Sequence, residues 1–168
     1  MEKFELTTNT KMYFGKKLFQ IKALVSFGNV KEGELGGYIE KEENLDHDGN
    51  AWVYGDAEVS GNAWVSGNAR VSGDARVSGD AEVSGDAEVS GDAEVYGDAD
   101  YAIIKGFGRE YRPTTFFRCK DKKVRVRCGC FYGTIEEFRA KVKETHGESK
   151  LAKEYLMIAD LMKLHFEN

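Results

Sequence analysis

From Ala51 to Asp98 the chain reads as eight consecutive six-residue units of the form A-x-V-x-G-[DN], and no other feature of its 168 residues limits the fold so tightly. Alanine and valine stand two apart, so in an extended strand both point to one side while the residue between them points away. That middle position is taken in turn by Trp52, Glu58, Trp64, Arg70, Arg76, Glu82, Glu88 and Glu94. The Gly-Asp or Gly-Asn pair supplies a bend, since glycine accepts positive φ and Asx side chains bond to nearby backbone. Four extended residues and a two-residue corner cannot form a helix, and they are too short to bury a core as a hairpin array. The pattern predicts a solenoid in which three units make one triangular turn of 18 residues, with alanine and valine filling the narrow interior.

Folding the outward positions by that period stacks Glu58, Arg76 and Glu94 in one column, Trp52, Arg70 and Glu88 in a second, and Trp64, Glu82 and Asp100 in a third. The first column alternates in sign at a ladder spacing of about 4.8 Å, which favours stacked neighbours. With Leu45–Asn50 counted as a degenerate unit, the solenoid has about three coils and stands roughly 15 Å tall. A stub of that height exposes both ends and needs caps. Trp52 and Trp64 both face outward, so either an N-terminal hairpin or a neighbouring subunit has to cover them.

Three parts follow: a β cap over 1–44, the repeat over 45–100, and a small α+β unit over 101–168. In the cap, Phe4 and Leu6 alternate with charged residues, TTNT at 7–10 reads as a turn, and 18–24 alternates again. After the repeat, 101–105, 114–119 and 123–128 read as short strands. Thr134-Ile-Glu-Glu137 is a capping box that opens a helix running to His146, with Gly147 as its stop. Ser149 caps a second helix, whose Leu151, Tyr155, Ile158 and Met162 share one stripe. The whole is mainly β, ending in two helices.

Charge is divided sharply. Residues 45–100 carry two positive and thirteen negative side chains, whereas 105–127 carry nine positive and two negative. Such asymmetry points to an anionic partner for the basic segment, yet the acidic coil disfavours long duplex DNA. No apolar run approaches the roughly 20 residues of a membrane span, and the start of the chain does not read as an export signal, so a cytoplasmic protein without a membrane partner is expected. Cys119, Cys128 and Cys130 form no CxxC pair and read as reduced thiols, with neither a disulfide framework nor a metal site.

The repeat resembles the hexapeptide-repeat, left-handed parallel β-helix superfamily, and the left hand of the coil is what that resemblance implies. The full order of segments is similar to hexapeptide-repeat proteins encoded by phages and prophages. The residues that carry this are GELGGYIEKEENL (Gly33 to Leu45), TTFFRCKD (Thr114 to Asp121) and CGCFYGTIEEF (Cys128 to Phe138), with Thr145 to Gly147. The resemblance implies a small cytoplasmic viral accessory protein and a homo-oligomer, a trimer or a multiple of it. It also implies where an enzyme on this fold would hold its general base, a histidine at a groove between subunits, for which His47 between Asp46 and Asp48 is the candidate.

The other histidines and the cysteines offer no better candidate. His146 and His165 read as helix-end or exposed residues, and Cys128 and Cys130 as packed thiols without a partner base. The sharper signal is KGFGREYRPTTFFRCKDKKVRVR (105–127). Arg109, Arg112, Arg118 and Lys120 can pair with phosphates, Thr114 and Thr115 can bond to them, and Tyr111 or Phe116 can stack on a base. The competing reading is a hairpin whose basic face, with Arg125 and Arg127 outward, is balanced by the acidic coil of a neighbouring subunit. The expected function is a non-enzymatic oligomeric binding protein that sequesters a small anionic ligand, such as a nucleotide immune signal, with no cofactor. The other readings are an acyl- or nucleotidyl-transferase using His47 and a structural or protein-binding module.

Overall fold

A computed structural model describes residues 1–167. Two antiparallel strands, β1 (Phe4–Tyr13) and β2 (Lys16–Ala23), lead into β3 (Leu35–Ile39). Eight two-residue strands follow at six-residue intervals: β4 (Trp52–Val53), β5 (Glu58–Val59), β6 (Trp64–Val65), β7 (Arg70–Val71), β8 (Arg76–Val77), β9 (Glu82–Val83), β10 (Glu88–Val89) and β11 (Glu94–Val95). Each pairs in parallel with the strand 18 residues away, giving the ladders β5-β8-β11, β4-β7-β10 and β6-β9. This is a β-solenoid of about three turns whose interior is the fully buried alanine and valine column. Its corner glycines, such as Gly67 and Gly73, hold φ at +65°, a region that β-carbon sterics close to most residues.

The ladder is regular within the repeat and slips just before it. Leu45 bridges Val65 and Ile39 pairs with Val59, offsets of 20 residues instead of 18. Leu45 thus takes a valine place, and the chain from Asp46 to Asn50 has two residues to spare. Those two residues let His47 turn up against the cap, its ring stacked on Phe4 at 4.2 Å. Gly36 and Gly37 are needed for the same lead-in. A β-carbon on either would lie 2.6 Å from a backbone carbonyl, that of Val53 or Ala57.

The cap extends one solenoid sheet, in the order β1-β2-β3-β5-β8-β11. TTNT, expected as a turn, lies inside β1, where the pairing with β2 shifts between Leu6 and Thr10; the irregularity the sequence announces is a bulge. The cap also answers the tryptophan question for Trp52. Phe4 and Phe27 pack on it at 6.4 and 5.3 Å and leave it fully buried, whereas Trp64 stays exposed.

At the other end, β12 (Tyr101–Ile104), β13 (Thr114–Arg118), β14 (Val124–Cys128) and β15 (Phe131–Thr134) form an antiparallel sheet in that order. The last strand is one the sequence reading did not place. Helices α1 (Ile135–His146) and α2 (Lys150–His165) follow, with Thr134 and Ser149 as the expected caps. Strand β13 belongs to two cores. Phe117 plugs the open end of the solenoid, and Phe116 faces a second core with Val126, Phe138, Tyr155, Ile158 and Met162. The stripe on α2 therefore packs within its own chain. No helix among the described residues is long and apolar enough to cross a membrane.

Two measurable consequences follow from these ends. Truncating Phe117→Ala opens the plug and is expected to cost about 3–5 kcal/mol in urea unfolding. At the other end, Lys3 is buried and gives its ammonium to the carbonyl of Ala51 at 2.9 Å. Burial pushes its pKa from 10.5 down to about 8, against the pull of Asp46 and Asp48. Between those values the unfolded chain holds a proton that the folded chain has lost, so this group makes stability rise with pH. The unfolding free energy of the native protein relative to Lys3→Met is expected to improve from about pH 8 to pH 10.5 and to be flat below that window.

Candidate functional site

The backbone of the basic segment decides which of its side chains are free. In β13 successive side chains alternate between the solenoid and the helices, and all of 114–117 are buried. Thr115 faces the coil, where its hydroxyl accepts the Glu88 amide at 3.0 Å. Thr114 faces the helices and donates to the Cys128 sulfur at 3.2 Å. Phe116 sits edge-on to Phe138 with ring centres 6.0 Å apart. These three side chains build the interior of the C-terminal unit and do not line a common cavity with the arginines.

Arg109, Tyr111 and Arg112 share an exposed loop between β12 and β13. Tyr155 pins that loop by donating to the Phe107 carbonyl at 3.2 Å, and burial raises its hydroxyl to about 12. Arg112 is ion-paired with Glu110. Lys120 lies elsewhere, at the edge of a charged groove of about 320 Å³ along the first column, with Asp74, Asp92 and Glu94. In that groove Glu58 is matched by Lys11 at 2.8 Å and Arg76 at 3.2 Å, while the carboxylates, five against three cations, leave the groove net acidic. The outward arginines are matched too, and within the same chain: Arg127 meets Glu88 at 3.4 Å and Arg125 meets Asp121 at 2.7 Å.

Arg118 alone of the named residues reaches a cavity with a cationic surplus. Its Nε donates to Asp100 at 3.2 Å, its Nη2 to the Phe166 carbonyl at 3.3 Å, and its plane lies over the Phe166 ring. Around it a cavity of about 470 Å³ opens between the β13–β14 turn, the first turn of α1 and the end of α2. Lys122, Lys123 and Lys163 stand at its walls with Arg118, opposed by Glu136 and Glu167, and Val124, Ile135 and Phe166 give it an apolar lining. The turn is built by Lys122, whose φ of +69° lets the Cys119 and Lys123 backbones pair, and by Asp121, which accepts the Lys123 amide. That amide and Arg125 hold the Asp121 carboxyl below the usual carboxylate range. The opening turn of α1 adds its positive dipole end to the same space.

Lys122 and Lys123 were visible in sequence only as part of a basic run, and Lys163 and Phe166 not at all as site residues. No local signal could place α2 across the β13–β14 turn, since that contact spans more than 40 residues.

His47 has both ring nitrogens engaged. Nδ1 accepts the Lys3 amide at 3.0 Å, which fixes the neutral ring as the Nε2–H tautomer, and Nε2 meets Glu42 at 3.0 Å. The residue clips the cap to the first coil. Cys119 is buried and burial raises its thiol to about 11, leaving it a poor nucleophile. Among the described residues no group of three or more His, Cys, Asp or Glu side chains is placed to hold a metal ion. No protein-family model matches the chain, and no curated protein matches it.

Within the cavity Arg118 also holds structure, whereas Lys163 faces water. Arg118→Met is expected to lower unfolding free energy by about 1–3 kcal/mol, because Asp100 and the Phe166 carbonyl lose their donor. Lys163→Gln is expected to change it by no more than about 0.5 kcal/mol in the same urea titration.

Proposed function

We propose that the protein is a non-enzymatic, oligomeric binding protein that captures a small anionic ligand carrying a flat or apolar moiety, a nucleotide being the class that fits best. One observation carries this reading: four cations surround an apolar-lined cavity at the start of a helix. Phosphate oxygens suit the lysines and the free edge of the Arg118 guanidinium, and a base suits the lining of Val124, Ile135 and Phe166. The solenoid supports the same reading from the other side, since its interior of alanine and valine offers no reactive group. In the viral setting that the sequence resemblance implies, the captured ligand is a nucleotide immune signal in the host cytoplasm, held and not turned over.

Nucleotides screened against the full chain test this by thermal shift, followed by chromatography of ligand recovered after denaturation. A bound nucleotide at about 100 times its Kd is expected to raise Tm by roughly 5–10 °C and to be released unaltered. The shift is expected to weaken with salt and to vanish in the Lys122→Glu, Lys163→Glu double variant. Chemical change of the ligand would convert the reading to an enzyme. No shift with any nucleotide would leave the structural or protein-binding reading in its place.

A further inference from the structure

Phe14 is held in a way that its own chain does not reward. The β1–β2 hairpin turns in two residues, Phe14 and Gly15, with φ of +46° and +77° between the paired Tyr13 and Lys16. That is the turn for which Asn-Gly is the relaxed choice, and a phenylalanine at its first position is strained. The ring is also 85% exposed, beside Met12 at 66%. Tyr13 touches it edge-on at 4.6 Å but is itself laid on Arg76 at 4.3 Å, so it does not shield the ring. Tyr111 shares the left-handed backbone, but its hydroxyl remains at ease in water. Phe14 has no such group. The exposed lysines Lys16 and Lys17 flank it.

A matching receptor lies on another face of the prism. Trp64 repeats the position of Trp52, yet it lacks the cover that Phe4 and Phe27 give Trp52 and is 41% exposed. It opens onto a cavity of about 530 Å³ with Leu45, and the carboxylates of Glu2, Glu42, Glu43 and Asp46 stand around it. An aromatic knob flanked by lysines thus has its complement in an aromatic socket rimmed by carboxylates. The two cannot meet within one chain: Tyr13 fixes the hairpin tip over the Glu58–Arg76 column, whereas Trp64 lies on the separate β6-β9 ladder.

We propose that the hairpin tip of one copy, led by Phe14, inserts into the Trp64 cavity of a second copy. The contact is heterologous, since each copy offers one knob and one socket, so copies join head to tail and stop only when a ring closes. It runs along the sides of the solenoid, because the ends are occupied by the cap and by Phe117. It gives the oligomer in the functional reading its residues, but it does not involve the Lys122–Lys163 cavity, so ligand binding and assembly can fail separately.

Phe14→Asn separates assembly from folding, because asparagine relaxes the turn while removing the knob. Sedimentation velocity and light scattering across the micromolar range are expected to show a native oligomer and a variant whose dissociation constant is about thirtyfold weaker or more, the scale of a central aromatic anchor. The urea midpoint of the dissociated variant is expected to match or exceed that of the dissociated native chain. Lys17→Glu alone is expected to weaken assembly, and Lys17→Glu with Glu43→Lys to restore it. Emission from Trp64 is expected to shift to the blue on assembly. A monomeric native protein throughout that range, or Phe14→Asn assembling as the native chain does, overturns the proposal.

Discussion

A short parallel solenoid is governed by the hydrogen bonds it cannot make. The outward residues on either side of each valine donate their amides to alanine and valine carbonyls about one coil further along, as Arg76 does to Ala93 at 2.8 Å and Ser78 to Val95 at 2.9 Å. In a stub of about three turns the last rung has donors without acceptors and the first has acceptors without donors, a large fraction of the whole ladder. Left bare, such edges invite further strands. Here side chains close them. Asp98 accepts the Glu82 amide, Thr115 the Glu88 amide and Asp100 the Tyr96 amide. At the opposite end Lys3 donates to Ala51, and the buried Asn44 amide donates to Ala63 at 2.8 Å and Gly61 at 3.2 Å. The flanking segments are therefore part of the solenoid's stability and not appendages to it.

This closure links the fold to the functional reading. Once Thr115 and Phe117 are committed to the coil and Thr114 and Phe116 to the helical core, β13 has no side chain left for a ligand until Arg118. In the proposed reading, ligand binding falls to the turn after β13 and to the two helices that pack beside it. The same commitment ties Arg118 to Asp100, the residue that also caps the last coil, so the cavity is anchored directly to the rigid prism.

The regular part of this design is readable from the sequence because its physics is local and repeated. The columns Glu58–Arg76–Glu94, Trp52–Arg70–Glu88 and Trp64–Glu82 follow from the period alone, and the capping box at Thr134 marks a helix start within four residues. Asp100, extrapolated as the next member of the third column, instead turns back in a short 3₁₀ segment and caps. The two-residue slip at Leu45 was hidden because LDHDGN keeps the outline of a repeat unit while its hydrophobic anchor sits at the other position. The cationic cavity was hidden for a different reason. Its walls come from residues more than 40 apart, and alternation in β13 can say that Thr114 and Thr115 face opposite ways but not that both faces are covered.

Native-state hydrogen exchange at the last rung tests the closed-prism account most directly. If side chains close the ladder, the amides of Glu82, Glu88 and Tyr96 exchange nearly as slowly as the interior amides of Arg70 and Arg76, by opening of the C-terminal unit. Exchange of all three at the rate of an open strand edge would contradict the account, because the solenoid would then end in water and the unit beyond it would not be fixed to it.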